Sequence, residues 1–452
     1  VVTEEKALFV ELNNILANDG APLEPYATRI ENTFAYRDTN NCQRVYEAII
    51  NLDRPNDQKI NVGLLYDMTL SAYHNKAWDL AESRSELLIK HGDEEQKMWA
   101  EDVLIESFFY QNKFTELFES IEIKGKTVDV QIYWRAKVAC ATANYQEVIK
   151  LLESKSALNN ELMLMLLFSY GEVGQVFEFD KLKEEVQNIE LTPVQFIMIQ
   201  AWSLCLYDEW EKIILLLEIE LPNFSVQELR EYLPQILVAK AYRNLSKFAE
   251  AHQQLSDFEN HTTNNSMCRI EIAKLSFARD NYGKCINQYE LTVNGDINLL
   301  PEAAIWQYVL SHWSMDHFEE LVTILPEIIV LHPKNMDFKL LFIRALAEQS
   351  QWKAILDKAS LLNKEQYADV IHPVTLAKYR LGHIDEAYKN SIKPTNQHSY
   401  EYWSMIAEIA LLVEDFELAK YCYKGMVAIY PNFDKRSSLK NIELIRNNYE
   451  RK

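Results

Sequence analysis

The stretch RNLSKFAEAHQQL, residues 243–255, places a polar turn before Phe248 and a small residue, Ala251, three places after it. Related phrases return as RDNYGKCINQYEL (279–291), QSQWKAILDKASL (349–361) and VEDFELAKYCYKG (413–425). Within the first, Phe248, Ala251, Leu255 and Phe258 fall at spacings of three, four and three, which puts them on one face of a helix. Ile236 and Ala239 with Tyr242 or Arg243 mark a second helix before the turn. The phrase therefore reads as helix, short turn, helix. Ser, Asn and Asp in the turns suit helix starts, since their side chains accept from unpaired backbone amides.

Extending the register along the chain gives eleven positions for the residue after the turn. They are Trp78, Phe114, Tyr145, Val176, Trp210, Phe248, Tyr282, Phe318, Trp352, Ile384 and Phe416, separated by 31 to 38 residues with a mean of 33.8. A period of that size signals stacked helical units, each too small to bury its apolar face alone. Three residues on stand Ala81, Leu117, Val148, Phe179, Ile213, Ala251, Cys285, Leu321, Ile355, Ala387 and Ala419. Pro333 and Pro431, 98 residues apart, each fall where a unit should end.

This pattern resembles the tetratricopeptide repeat, about eleven degenerate units covering residues 61–433. The resemblance implies an all-α fold: a right-handed α-solenoid superhelix of stacked antiparallel helix pairs. The first-helix position usually held by glycine in that family is instead Thr69, Ile105, Ala136, Ala201, Ala239, Ala273, Val309, Ile343 or Ala407, and Phe179 is bulky where a small residue is usual. These departures predict wider helix spacing in places. Residues 1–60 read as an N-terminal helical cap containing a degenerate unit, and residues 434–452 as a capping helix with a polar outer face.

Composition agrees with an array of helices. Only 10 glycines and 12 prolines occur in 452 residues, too few for a turn-rich β fold or a glycine-rich phosphate loop. The 67 acidic residues against 46 basic ones give a formal charge of −21, which disfavours nucleic acid. That charge also argues against the related pentatricopeptide class of RNA binders. Six scattered cysteines without a CxxC point to reduced thiols and a cytoplasmic compartment. The apolar runs ELMLMLLFSY and KIILLLEIEL are too short to insert across a membrane.

No catalytic constellation stands out, so the chain reads as non-enzymatic, without cofactor or metal. His312 and Asp316 share a helical spacing, but two ligands make an incomplete metal site. The paired glutamates at 4–5, 94–95, 184–185 and 319–320 suit solvated faces, and Cys285 holds a packing slot.

The resemblance implies that first helices line a concave groove. Carried over unit by unit, the inward residues are Tyr66, Tyr73, Phe109, Tyr133, Lys137, Lys240, Arg243, Lys274, Phe277, Trp306, Trp313, Arg344 and Tyr379. Lys137, Lys240, Lys274 and Arg344 occupy one shared slot, eight residues before the residue that follows the turn. Aromatic rings and arginine dominate partner binding. The function expected is an interaction scaffold whose groove holds a protein or peptide segment carrying acidic groups. The alternative is an accessory module for a catalytic chain such as a glycan- or acyl-modifying enzyme. The clamp by which family members hold chaperone tails needs an Asn in the slot of Leu70, Glu106 and Lys137, and no unit supplies it.

Overall fold

The computed structural model describes residues 60–429 apart from 124, 156–157, 226–232, 260–264, 363 and 396–397, together with positions 10, 13, 14, 16 and 17. Apart from those five positions and residue 60, the expected cap over residues 1–60 lies outside the described residues, as do Pro431 and the helix over 434–452. Contacts divide the chain into two units, residues 1–67 and 68–452, and the second carries all but the start of the repeat array.

The described elements are helices. They are α1 (Val62–His74), α2 (Trp78–His91), α3 (Glu94–Tyr110), α4 (Phe114–Ile123), α5 (Val128–Ala141), α6 (Tyr145–Leu152), α7 (Asn160–Val173) and α8 (Val176–Val186). Then come α9 (Pro193–Cys205), α10 (Trp210–Glu220), α11 (Pro234–Asn244), α12 (Phe248–Glu259), α13 (Ser266–Ala278), α14 (Tyr282–Val293), α15 (Glu302–Ser314) and α16 (Phe318–Leu331). The series ends with α17 (Met336–Glu348), α18 (Trp352–Ala359), the short α19 (Lys364–Asp369), α20 (Ile371–Arg380), α21 (Ile384–Asn390), α22 (Tyr400–Leu412) and α23 (Phe416–Ile429). With α19 set aside as an insertion, they form eleven pairs.

Each of the eleven register residues is the first residue of the second helix in its pair. The turn before it has one construction throughout. The residue two places earlier is left-handed: Lys76, Asn112, Ala143, Gly174, Asp208, Ser246, Asp280, Asp316, Ser350, Gly382 and Glu414, with φ from 54° to 83°. The next amide closes back on the first helix, as in Lys247 N to Tyr242 O at 2.9 Å and Gln351 N to Leu346 O at 2.8 Å. This is a Schellman ending, which satisfies carbonyls that the helix leaves open. Of these eleven, only Gly174 and Gly382 are the residue type that adopts this backbone freely.

Packing follows the same register. The eleven residues at the slot three places into the second helix are all fully buried, including Phe179 and Cys285. The first-helix slot nine residues before each second helix is buried as well, from Thr69 to Ala407. Phe179 is accommodated because its partner helix carries Gly171, where a Cβ would stand 3.4 Å from the Phe179 ring. The small residue has changed helices. First helices touch the first helices of neighbouring pairs, as in α5 with α7, α11 with α13 and α20 with α22. Second helices also meet the following first helix, as in α2 with α3 and α14 with α15.

One set of contacts spans far more sequence than neighbouring pairs do. Asn112, in the turn of the second pair, accepts a hydrogen bond from Ser266 Oγ at 2.7 Å and donates to the Leu291 carbonyl at 3.3 Å. Ala143, in the third turn, is buried in the same cluster as Ile270, Cys285 and Ile305. The second and third pairs thus pack against the seventh. Over this stretch the first helices line a pocket.

Candidate functional site

The space is a half-open pocket of about 400 Å³ built from α5, α7, α9, α11 and α13. Its walls come from two slots of the repeat, twelve and eight residues before each second helix. The outer slot gives Leu164, Met198, Ile236 and Ile270; the inner gives Phe168, Trp202, Lys240 and Lys274. Phe168 and Trp202 meet at a ring separation of 5.1 Å and make an apolar wall.

The charges on this face are mostly matched. Lys240 Nζ lies 2.6 and 2.7 Å from the Glu172 carboxylate oxygens and 5.7 Å from the Trp210 ring centroid. Burial, the largest influence, pulls Lys240 down, but Glu172, Cys205 and Glu271 together outweigh it and the net shift is upward. Arg243 Nε bonds Glu271, which is itself buried. Lys137 Nζ stands 3.5 Å from Glu161, donates to Tyr133 Oη at 2.9 Å, and sits 5.1 to 5.4 Å from the Phe109, Tyr133 and Trp134 rings. Lys274 differs: among the described residues, no carboxylate lies in ion-pairing range of its ammonium. Burial lowers its pKa; Glu271 and Glu172 oppose this, while Arg243 and Lys240 add to it.

A second recess of about 590 Å³ lies on α15, α17, α20 and α22 and is likewise open to solvent. Trp313, Arg344, Leu376, Tyr379 and Met405 line it. Arg344 is exposed, and among the described residues it has no ion-pair partner. Tyr379 Oη donates to Glu408 at 2.6 Å, fixing its ring along the wall. His372 stacks on Tyr402 at 4.0 Å and lies 4.8 Å from His398. Burial, then His398 and Arg344, hold its pKa below the usual histidine range.

The thirteen residues expected to face inward therefore have different placements. Lys137, Tyr133 and Phe109 form one aromatic–cation cluster; Lys240 and Lys274 line the cavity; Trp313, Arg344 and Tyr379 line the recess. Tyr73 is half-buried, donates to Glu106 at 2.7 Å and edges onto Trp78 and Trp99. Phe277 packs against Tyr282, and Trp306 packs against Phe338. Tyr66 is half-buried in the first unit. The inward set read from the sequence omits Phe168 and Trp202, which share the slot of Lys240 and Lys274, and the carboxylates Glu172 and Glu271. The slot itself was the signal that pointed to the first two.

Among the described residues, no group of three or more His, Cys, Asp or Glu side chains could hold a metal. His312 is buried between the Tyr308 and His317 rings, and Asp316 is the left-handed residue of its turn. Burial raises the thiols of Cys140, Cys205 and Cys422 to about 12 and that of Cys285 to about 11, so they stay protonated. No described helix is long and apolar enough to cross a membrane.

Eleven helix pairs with a shared Schellman turn and a buried packing slot in each helix define a helical-repeat protein of tetratricopeptide-like build. No family model matches the chain, and no curated protein does. Among solved structures, the hetero-tetramer Cut9–Hcn1 of the APC/C is 10% identical, with 89% of this chain and 98% of that one covered and a TM-score of 0.32. Yeast Tom70 is 13% identical, with 86% and 96% covered and a TM-score of 0.28. The TPR domain of P58(IPK) is 12% identical, with 87% and 99% covered and a TM-score of 0.27. Those likenesses are weak; the repeat geometry stands without them.

Proposed function

We propose that the chain is a non-catalytic interaction scaffold whose recess on α15, α17, α20 and α22 holds an extended segment of a partner protein. The observation that carries this reading is Arg344: an exposed guanidinium with no ion-pair partner among the described residues, set beside Trp313, Leu376 and Met405. Aromatic rings and arginine are the anchor types of protein interfaces. Glu348, Glu401 and Glu408 lie on the same recess, so it does not offer a uniformly basic surface. The segment that fits is one acidic residue for Arg344 next to an apolar residue for Trp313 and Leu376, rather than a long acidic run.

The test is selection of a displayed random peptide library on the full chain, followed by titration of the best peptide against variants. Trp313→Ala combined with Arg344→Glu is expected to weaken it by about tenfold or more. Unchanged affinity for a chain that melts like the parent would overturn the assignment.

A further inference from the structure

We propose that the pocket on α5, α7, α9, α11 and α13 is a binding site for a small monocarboxylate with an apolar body, its carboxylate held by Lys274. This site is separate from the peptide recess and does not depend on that reading.

The inference rests on a charge count in a confined space. Among the described residues, Lys137 has Glu161, Lys240 has Glu172 and Arg243 has Glu271, and of the cations on this face Lys274 is the one left over. Its ammonium faces a cavity of about 400 Å³, within the range of small-molecule sites. An ammonium half-buried without a carboxylate in contact is an unfavourable arrangement, and a ligand carboxylate at Nζ would relieve it.

The remaining walls restrict the ligand further. Phe168, Trp202, Met198, Ile236 and Ile270 offer hydrocarbon and ring surface with few groups to bond, so the rest of the molecule must be apolar. Glu172 and Glu271 also border the space. Each is already committed to a cation, and both would repel the second charge of a phosphate or dicarboxylate. A cationic ligand would find both of them already paired. One negative charge at one end is what the site can neutralise. Burial also keeps Lys274 below the ordinary lysine range, which marks its ammonium as under-compensated.

Calorimetric titration of the full chain with decanoate and with 3-indolepropionate, each beside its neutral amide, tests the idea. At least one acid is expected to bind about tenfold or more tightly than its amide, the scale of a charge-assisted hydrogen bond. Lys274→Met should abolish that preference, and Lys274→Arg should keep it. Decanoate alone binding identifies an alkyl ligand, and 3-indolepropionate alone an aromatic one; either outcome supports the site. The proposal is overturned if acid and amide bind alike, if Lys274→Met leaves the acid's affinity intact, or if neither acid binds below about 1 mM. The acid–amide comparison uses the unaltered chain, so a poorly folding variant cannot rescue or sink it.

Discussion

Ser266 Oγ donates a 2.7 Å hydrogen bond to Asn112 Oδ1 although 154 residues separate them, and both groups are buried. Asn112 also gives its amide hydrogen to the Leu291 carbonyl, and its backbone is the left-handed residue of the second turn. A single residue thus ends one helix with its backbone and ties the second pair to the seventh with its side chain. Asparagine suits both tasks, because its short amide tolerates the left-handed region better than most residues do. Asn112→Gly keeps the turn and removes both long-range bonds, so it isolates the tie. It should cost about 1–3 kcal/mol, measured by urea unfolding. It should also loosen the cavity, read as faster hydrogen exchange at the α13 amides. A change of less than about 0.5 kcal/mol would show that the apolar contacts of Ala143 hold the two stretches together unaided.

The other turns make the opposite prediction. Ser350 and Ser246 hold left-handed backbone with φ of 55° and 58°, where a Cβ is crowded. Their side chains are exposed, so replacing them removes little packing. Ser350→Gly should stabilise the chain by up to about 1 kcal/mol, offset in part by the greater freedom of glycine when unfolded. Gly382→Ala, at φ 83°, should destabilise it by about 1 kcal/mol. Thermal melts of the two variants should move in opposite directions.

Much of this architecture was legible in the sequence because the signal repeats. Trp78, Tyr145 and Phe416 are unremarkable taken singly, yet the same register puts the start of every second helix at the residue it names. The turn's left-handed residue was not legible, because Lys76, Ala143 and Glu414 have no composition that advertises it. Their backbone is held by the Schellman bonds to the preceding helix, such as Asn144 N to Ala139 O at 2.7 Å, which form without a glycine. The approach of the second pair to the seventh was hidden for a different reason: Asn112 and Ser266 lie 154 residues apart, and no local phrase encodes their meeting. The candidate site inherited that gap. Lys240 and Lys274 were placed on the inner face by their shared slot, but their unequal fates depend on Glu172 and Glu271. Those carboxylates lie outside the slot and find their partners only through packing.

Gly425 and Gly283 sit in second helices and should respond oppositely to alanine. A Cβ on Gly425 would run into the six-membered ring of Trp403, which is 2% exposed and among the largest fully buried side chains. The ring is boxed in by Tyr421 and by its indole hydrogen bond to the Thr395 carbonyl, so it cannot swing away. Gly425→Ala should cost about 1–3 kcal/mol by overpacking. At Gly283 the nearest atoms are the flexible tip of Met315 at 3.7 Å, and Ala there should gain up to about 1 kcal/mol from helix propensity. Chemical denaturation of both variants checks the contrast; a stabilised Gly425→Ala would mean that the α22–α23 joint has slack.

The acid limb of stability should be set in part by His312. Its ring is 5% exposed, edges onto Tyr308 at 4.6 Å and lies 5.4 Å from His317, and among the described residues neither ring nitrogen has a hydrogen-bond partner. Burial, with a smaller push from His317 and an opposing pull from Glu320, lowers its pKa from 6.5 to about 4. Above pH 6.5 the ring is neutral folded and unfolded, and it contributes no pH dependence. As pH falls from 6.5 toward 4, the unfolded chain takes up a proton that the folded chain refuses, so stability drops through that window and levels off below it. His312→Leu removes the titrating group and leaves no unpaired nitrogen. The variant's urea midpoint, relative to the parent's, should therefore rise as the buffer is taken from about pH 7 to about pH 4.5. Parallel curves for the two chains across that range would show that His312 is protonated as readily inside the fold as outside it.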